Sequence, residues 1–218
     1  MNNNLPDYYH QRAREYERIY YKPERQTDLE HLKQSLPNHL SGLNVLEIGC
    51  GTGFWTQFLA EQAQSILATD INHSVMEIAQ SKFQSPSNVS FIKSDMYELT
   101  EVNDVFEGVF AGFVWSHIPV EKLTGFLRHI HRFVAPGGKI VFTDNQYAEG
   151  SSTPIFSTDE QGNTYQKRFL EDGSTHMVLK NFPEDKFLKN VLSGLGEDIQ
   201  IERLTYFWTL SYRVVGVK

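Results

Sequence analysis

The chain has 218 residues, 40% of them hydrophobic and 13% aromatic, which suits one domain that buries its own core without covalent staples. Acidic side chains outnumber basic ones 27 to 20, and like charges are scattered, which argues against binding to nucleic acid or to an anionic membrane surface. The single cysteine, Cys50, excludes an internal disulfide framework and a cysteine-rich zinc site, and the histidines show no metal-ligand spacing. No apolar run is long enough for a spanning helix, and Met1–Pro6 lacks the basic start and apolar core of a secretory signal. The expectation is a soluble, cytoplasmic, single-domain protein with no metal, no membrane and no nucleic-acid partner.

The first forty residues read as helical, with a Tyr- and charge-rich segment from Tyr8 to Tyr21 and a helix from about Thr27 to Leu36 that stops before Pro37. Short apolar runs then alternate with amphipathic stretches. The runs are Asn44–Ile48, Ser65–Thr69, Val89–Ile92, Gly108–Val114 and Lys139–Thr143. Helices are expected over Phe54–Ala63 and His73–Phe83, more weakly over Leu99–Phe106, and most clearly over Val120–Val134. That last helix lines up Leu123, Phe126, Leu127, Ile130, Phe133 and Val134 on one face and ends at Ala135-Pro136-Gly137-Gly138. Alternating strands and helices predict a doubly wound α/β fold, a parallel sheet covered on both faces. Beyond Thr143 the pattern changes to a loop over 144–163 and a hairpin of Thr164–Leu170 and Thr175–Leu179 around Glu171-Asp172-Gly173-Ser174. A helix over Pro183–Leu195, capped by Gly196, and two β-rich segments, Ile199–Trp208 and Thr209–Val217, complete the chain.

The chemistry concentrates at Glu47-Ile48-Gly49-Cys50-Gly51-Thr52-Gly53, which runs from the first strand into a helix. Glycines there let the backbone turn sharply and approach a ligand, beside the free N–H groups of a helix start. Thr56 stands where a dinucleotide fingerprint wants a third Gly or Ala. Together with Thr69-Asp70-Ile71, Ser94-Asp95-Met96 and Pro136-Gly137-Gly138, this turn resembles the class I S-adenosylmethionine-dependent methyltransferases over about residues 43–144. The resemblance implies a seven-stranded sheet in the order 3-2-1-4-5-7-6 with strand 7 antiparallel, one domain over 1–218, an N-terminal helical lid over 1–40 and a hairpin inserted over 164–180. It implies S-adenosylmethionine as cofactor, held by Glu47, Gly49, Cys50, Gly51, Asp70, Ile71, Asp95, Met96, Gly112 and Phe113. Asp70 would accept the ribose hydroxyls, and Asp95 and Met96 would meet the adenine edge.

The resemblance places the stretch after strand four beside the transferred methyl. Gly112-Phe113-Val114-Trp115 replaces the Asn/Asp-Pro-Pro-aromatic motif of methylases acting on exocyclic amines or glutamine side chains, so the expected acceptor is a small molecule methylated on O or N. His117 is the candidate general base. Tyr9, Tyr16, Trp115, Asp144 and Tyr147 are the candidate acceptor contacts. Two other readings stay open, an NAD-dependent Rossmann oxidoreductase and a noncatalytic cofactor-binding module.

Overall fold

Apolar residues in the central strands alternate between two cores, and this alternation builds three layers. The computed structural model describes residues 16–84, 87–169 and 173–215. In chain order the elements are α1 (Gln26–His39), β1 (Asn44–Ile48), α2 (Phe54–Ala60), β2 (Ser65–Asp70), α3 (His73–Ser81), β3 (Val89–Lys93) and β4 (Phe106–Gly112). They continue with α4 (Leu123–His131), β5 (Val134–Asn145), β6 (Ile155–Thr158), β7 (Thr164–Phe169), β8 (Thr175–Leu179), α5 (Asp185–Val191), β9 (Gly196–Arg203) and β10 (Phe207–Val214). Leu46, Val109, Ala111, Ile140 and Phe142 face α4 and α5, whereas Val45, Phe110 and Val141 face α1 and α2. Successive side chains on a strand point to opposite faces, so both faces of this sheet must be covered.

The main sheet has the order β3-β2-β1-β4-β5-β10-β9. Strands β1 to β5 are mutually parallel, and β10 lies antiparallel between β5 and β9. This is the expected 3-2-1-4-5-7-6 order, β9 and β10 being the sixth and seventh strands of the sheet. The order reverses between β1 and β4, whose carboxyl ends lie side by side, the place where open α/β sheets form a crevice. Strands β6, β7 and β8 form a separate antiparallel sheet. None of the described helices is long and apolar enough to cross a membrane.

Several expected boundaries move. Helix α1 runs through Pro37 to His39: the proline gives up its N–H bond to the Lys33 carbonyl, and its ring is buried. No helix forms over Leu99–Phe106; Leu99 takes φ 49° in a pair of tight turns, and the β-branched and Asn-Asp residues that follow suit neither helix nor continued pairing. Val120–Val134 divides into a 3-10 turn at Val120–Lys122 and α4. The segment 144–163 contains β6, and Gly196 opens β9 instead of capping a helix. Of the Tyr8–Tyr21 segment, residues before Tyr16 lie outside the described residues, and Tyr16–Tyr21 is a 3-10 turn. The turn residues Glu171 and Asp172 also lie outside them.

The Pro-Gly-Gly segment departs furthest. It lies inside β5, where the register slips from Phe106↔Val134 to Gly108↔Lys139. A Cβ on Gly138 would stand 2.8 Å from the Ala135 carbonyl oxygen and 2.9 Å from that of Glu107. Backbone cannot yield there as a flexible side chain would, so Gly138→Ala should cost about 1–3 kcal/mol in urea unfolding, the range for overpacking. Unchanged stability would show that the bulge adapts.

Candidate active site

The carboxyl ends of β1, β2 and β4 open into a cavity of about 410 Å³. Its lining brings together Gly49, Gly51, Asp70, Ile71, Asp95, Met96, Gly112, Phe113 and His117. Gly49, at φ 70°, leaves β1 so tightly that an added Cβ would stand 2.8 Å from Val114 Cγ2. Cys50 donates its N–H to the Thr69 carbonyl at 2.9 Å, which binds the turn to the end of β2. Asp70 completes the clamp: Oδ2 accepts the Gly51 N–H at 2.9 Å and Oδ1 the Asn72 N–H at 2.8 Å. Each oxygen keeps a second lone pair, which suits a vicinal diol. Burial pushes the Asp70 carboxyl up, and its backbone N–H bonds oppose that.

Asp95 lies across the cavity and accepts the Tyr97 N–H at 2.8 Å in a side-chain turn. Phe113 sits at φ 61°, costly for a bulky residue, and its N–H donates to the Thr143 carbonyl at 2.7 Å. Lys122 is the one Lys or Arg in the described lining, and no phosphate cradle surrounds it. The set fits a ligand with a diol and an apolar ring, with Asp70 for the first and Ile71, Val75 and Met96 for the second.

Two expected cofactor residues stand behind this wall. Cys50 is buried in the turn, and burial pushes its thiol well above the ordinary range. Glu47 is 2% exposed, and its Oε2 has no hydrogen-bond partner among the described residues. Burial, with the Asp70 charge adding to it, pushes the Glu47 carboxyl up to about 7.

His117 lies in the 3-10 turn Trp115–His117, with Nδ1 2.7 Å from the Leu179 carbonyl oxygen. A carbonyl only accepts, so Nδ1–H donates and the neutral ring carries its lone pair on Nε2. Burial pushes this imidazole down to about 3; the Lys180 charge adds to that and Asp144 opposes it. The ring is therefore neutral near pH 7, a hydrogen-bond acceptor and only a weak base.

The acceptor contacts expected from sequence scatter. Trp115 is fully buried, edge-on to Phe142 at 5.0 Å and to Trp208 at 6.0 Å, because its indole fills the core below the cavity. Asp144 is also fully buried: Oδ1 accepts from Lys180 Nζ at 2.7 Å and Oδ2 from the Ser116 N–H at 2.9 Å, so it turns inward and does not line the cavity. Tyr147 packs edge-on to Phe182 in a second cleft, with Gln146 and Arg203. Tyr16 opens the first 3-10 turn, and Tyr9 lies outside the described residues.

Sequence reasoning missed Lys180 and Ser116. The one signal was a lysine closing the apolar run Val178-Leu179. Tyr20, from the Tyr-rich segment expected to cover the cofactor, stacks on Phe54 at 3.9 Å and meets Phe113 edge-on at 5.8 Å. Near it, Glu17 accepts from the Thr52 hydroxyl at 2.7 Å and from Lys82, and Arg25 donates to Asn145 Oδ1 at 3.0 Å. Residues 17–25 thus strap the glycine turn to the end of β5.

The Glu47 carboxyl carries a pH signature. Its folded pKa lies above the ordinary 4.5, so the fold holds an extra proton between about 4.5 and 7. The stability this contributes is full below 4.5 and is lost as pH rises through 7. Glu47→Gln should gain about 2–3 kcal/mol relative to wild type between pH 5 and pH 8 in urea titrations. A constant difference would mean that the carboxyl ionises normally.

Comparison with known proteins agrees with this geometry. Residues 45–138 match the family model described as a methyltransferase domain. A demethylmenaquinone methyltransferase of Lysinibacillus sphaericus is 26% identical over 180 residues, 76% of this chain and 72% of that protein. A malonyl-[acyl-carrier protein] O-methyltransferase of a Paenibacillus species is 32% identical over 107 residues, 45% of this chain and 37% of that protein. The solved DhpI complex with SAH superposes with a TM-score of 0.76 at 25% identity, covering 96% of this chain and 94% of that one, and the DhpI-SAM-HEP complex with 0.75. With the glycine turn, the acidic ends of β2 and β3 and the 3-2-1-4-5-7-6 sheet, these matches show that the chain is similar to the class I S-adenosylmethionine-dependent methyltransferases.

Proposed function

We propose that this enzyme transfers a methyl group from S-adenosylmethionine to an oxygen or nitrogen of a small-molecule acceptor. The observation that carries the reading is a single cavity lined both by Gly49, Gly51, Asp70, Ile71, Asp95 and Met96 and by His117. The names of two relatives support methyl transfer, one a demethylmenaquinone methyltransferase and the other a malonyl-[acyl-carrier protein] O-methyltransferase, and the second name specifies oxygen.

In this reading Asp70 takes the ribose hydroxyls, Ile71 and Met96 flank the adenine, and Asp95 accepts from its amino group. Gly49, Gly51, Gly112 and Phe113 give close backbone approach. Glu47 and Cys50 act from behind the turn, Glu47 as a buried acidic group that favours cationic charge nearby. When bound, the cofactor supplies an electrophilic methyl on a sulfonium. The protein then has to hold the acceptor in line and exclude water, and such positioning is worth on the order of 7–11 kcal/mol. Neutral His117 orients a hydroxyl or amine by accepting its hydrogen bond; it takes the proton of a hydroxyl once methylation has made that oxygen strongly acidic, whereas a methylated amine leaves with its proton and loses it to water.

Calorimetric titration with S-adenosylhomocysteine and, separately, with NAD tests the cofactor. Tight binding of the first and none of the second is expected, and the reverse would overturn the reading. Asp70→Ala should weaken S-adenosylhomocysteine by about 1.5–3 kcal/mol, as for hydrogen bonds to a charged group. An unchanged affinity would remove Asp70 from the site. Labelled S-adenosylmethionine offered with hydroxy, amino and carboxylic compounds would identify the acceptor.

Residues 17–25 form the described part of the N-terminal cover in this reading. Hydrogen exchange across Tyr20–Arg25 should slow at least tenfold when S-adenosylhomocysteine binds. Equal protection with and without it would make the segment a fixed part of the core.

A further inference from the structure

Three consecutive residues leaving β8 hold the turn that carries His117. The Leu179 carbonyl accepts from His117 Nδ1 at 2.7 Å. Lys180 Nζ donates to Ser116 Oγ at 2.6 Å and to Asp144 Oδ1 at 2.7 Å. The Asn181 N–H donates to the Ser116 carbonyl at 2.8 Å, and its Nδ2 to the Ile118 carbonyl at 3.2 Å. Asp144 closes the loop by accepting the Ser116 N–H. Lys180 is 4% exposed, and Ser116 and Asp144 are fully buried.

Such a pair is a poor way to gain stability. Desolvating two charges offsets most of their attraction, and an apolar pair of similar volume often serves as well or better. What the pair does supply is direction. One ammonium, with donors at fixed angles, locks the end of β5, the His117 turn and the inserted sheet in a single arrangement. None of these bonds involves Gly49, Gly51, Asp70, Asp95 or Met96, so the network belongs to the acceptor side.

We propose that Lys180 is a positioning residue for the acceptor side of the cleft. Through Asp144 and Ser116 it fixes the His117 turn against Leu179, and so sets which imidazole nitrogen holds the proton. The proposal rests on the methyltransferase reading for the meaning of "acceptor side", but it is tested without an acceptor.

The test uses the full chain with 15N-labelled histidine. Long-range 1H–15N spectra report the His117 tautomer, amide exchange reports Ser116 and Asn181, and titration reports S-adenosylhomocysteine affinity. The variant is Lys180→Met combined with Asp144→Asn, which removes both charges and strands neither. Wild type should show one Nδ1–H tautomer. The double variant should show a tautomer mixture and amide exchange at least tenfold faster at Ser116 and Asn181, with affinity for S-adenosylhomocysteine within threefold of wild type. A retained single tautomer with unchanged exchange would overturn the proposal and leave the pair as packing. A large loss of affinity in the folded variant would also overturn it, since the network would then serve the cofactor. If the double variant does not fold, Ser116→Ala, which removes one partner of the ammonium, is read by the same spectra and the same criteria. Failure of wild type to bind S-adenosylhomocysteine overturns the functional reading separately.

Discussion

The Asp70 carboxylate is the clamp on which the cofactor end of the molecule depends. It binds backbone N–H groups of two segments that wall the cavity, Gly51 in the turn after β1 and Asn72 at the entry to α3. Bonds from N–H groups to a charged acceptor are about twice as strong as neutral ones, and here they bridge segments twenty residues apart. The parallel register of β1 with β2 and β4 brings the strand ends together, but register alone leaves the turn free to pivot. With one carboxylate holding both segments, Gly49 can turn back against Val114, and the cavity wall becomes continuous from β2 to β4.

The acceptor end is organised by the opposite means. Where Asp70 is open to the cavity, Asp144 is sealed from it and faces Lys180. Burial alone would push both carboxyls toward neutrality; for Asp144 the Lys180 charge and the hydrogen bonds from Lys180 and the Ser116 N–H act together against it and hold the carboxyl below its ordinary range. Removing one member of such a pair typically costs 3–5 kcal/mol, because the other charge is left uncompensated. One carboxylate at a strand end therefore faces the cavity, and the other holds the architecture around His117.

The framework was legible in the sequence because it is written in local patterns. The five parallel strands announced themselves as short apolar runs, and Asn44–Ile48 falls on β1 with both bounds in place. The glycine turn and the acids after β2 and β3 lie close to their strands, so chain position fixes spatial position, and Gly49, Gly51, Asp70, Asp95 and Met96 share one cavity. Trp115, Asp144 and Tyr147 were another matter. Each sits within a few residues of a strand end, where a change of one residue in the strand's exit decides between cavity, core and outer cleft. The exit after β4 bends at Phe113 in a conformation that its side chain disfavours, and no local pattern signals that. Lys180 was hidden for a related reason: its partners lie 36 and 64 residues away, brought near only by the packing of β8 against the main sheet.

The three-stranded sheet has a consequence for how such a chain can diverge. Its strand β6 is exposed throughout, Phe156 and Phe169 carry Lys167 between them at the surface, and its described hydrogen bonds to the segment around His117 run through residues 179–181 and through Asn163, which meets Val120 and Glu121. The small sheet is therefore tied down at the end of β8 and at the turn before β7, while β6 faces solvent. Substitutions along β6 can accumulate without touching any residue that lines the cavity, so this edge of the molecule is free to drift while the cavity wall is not.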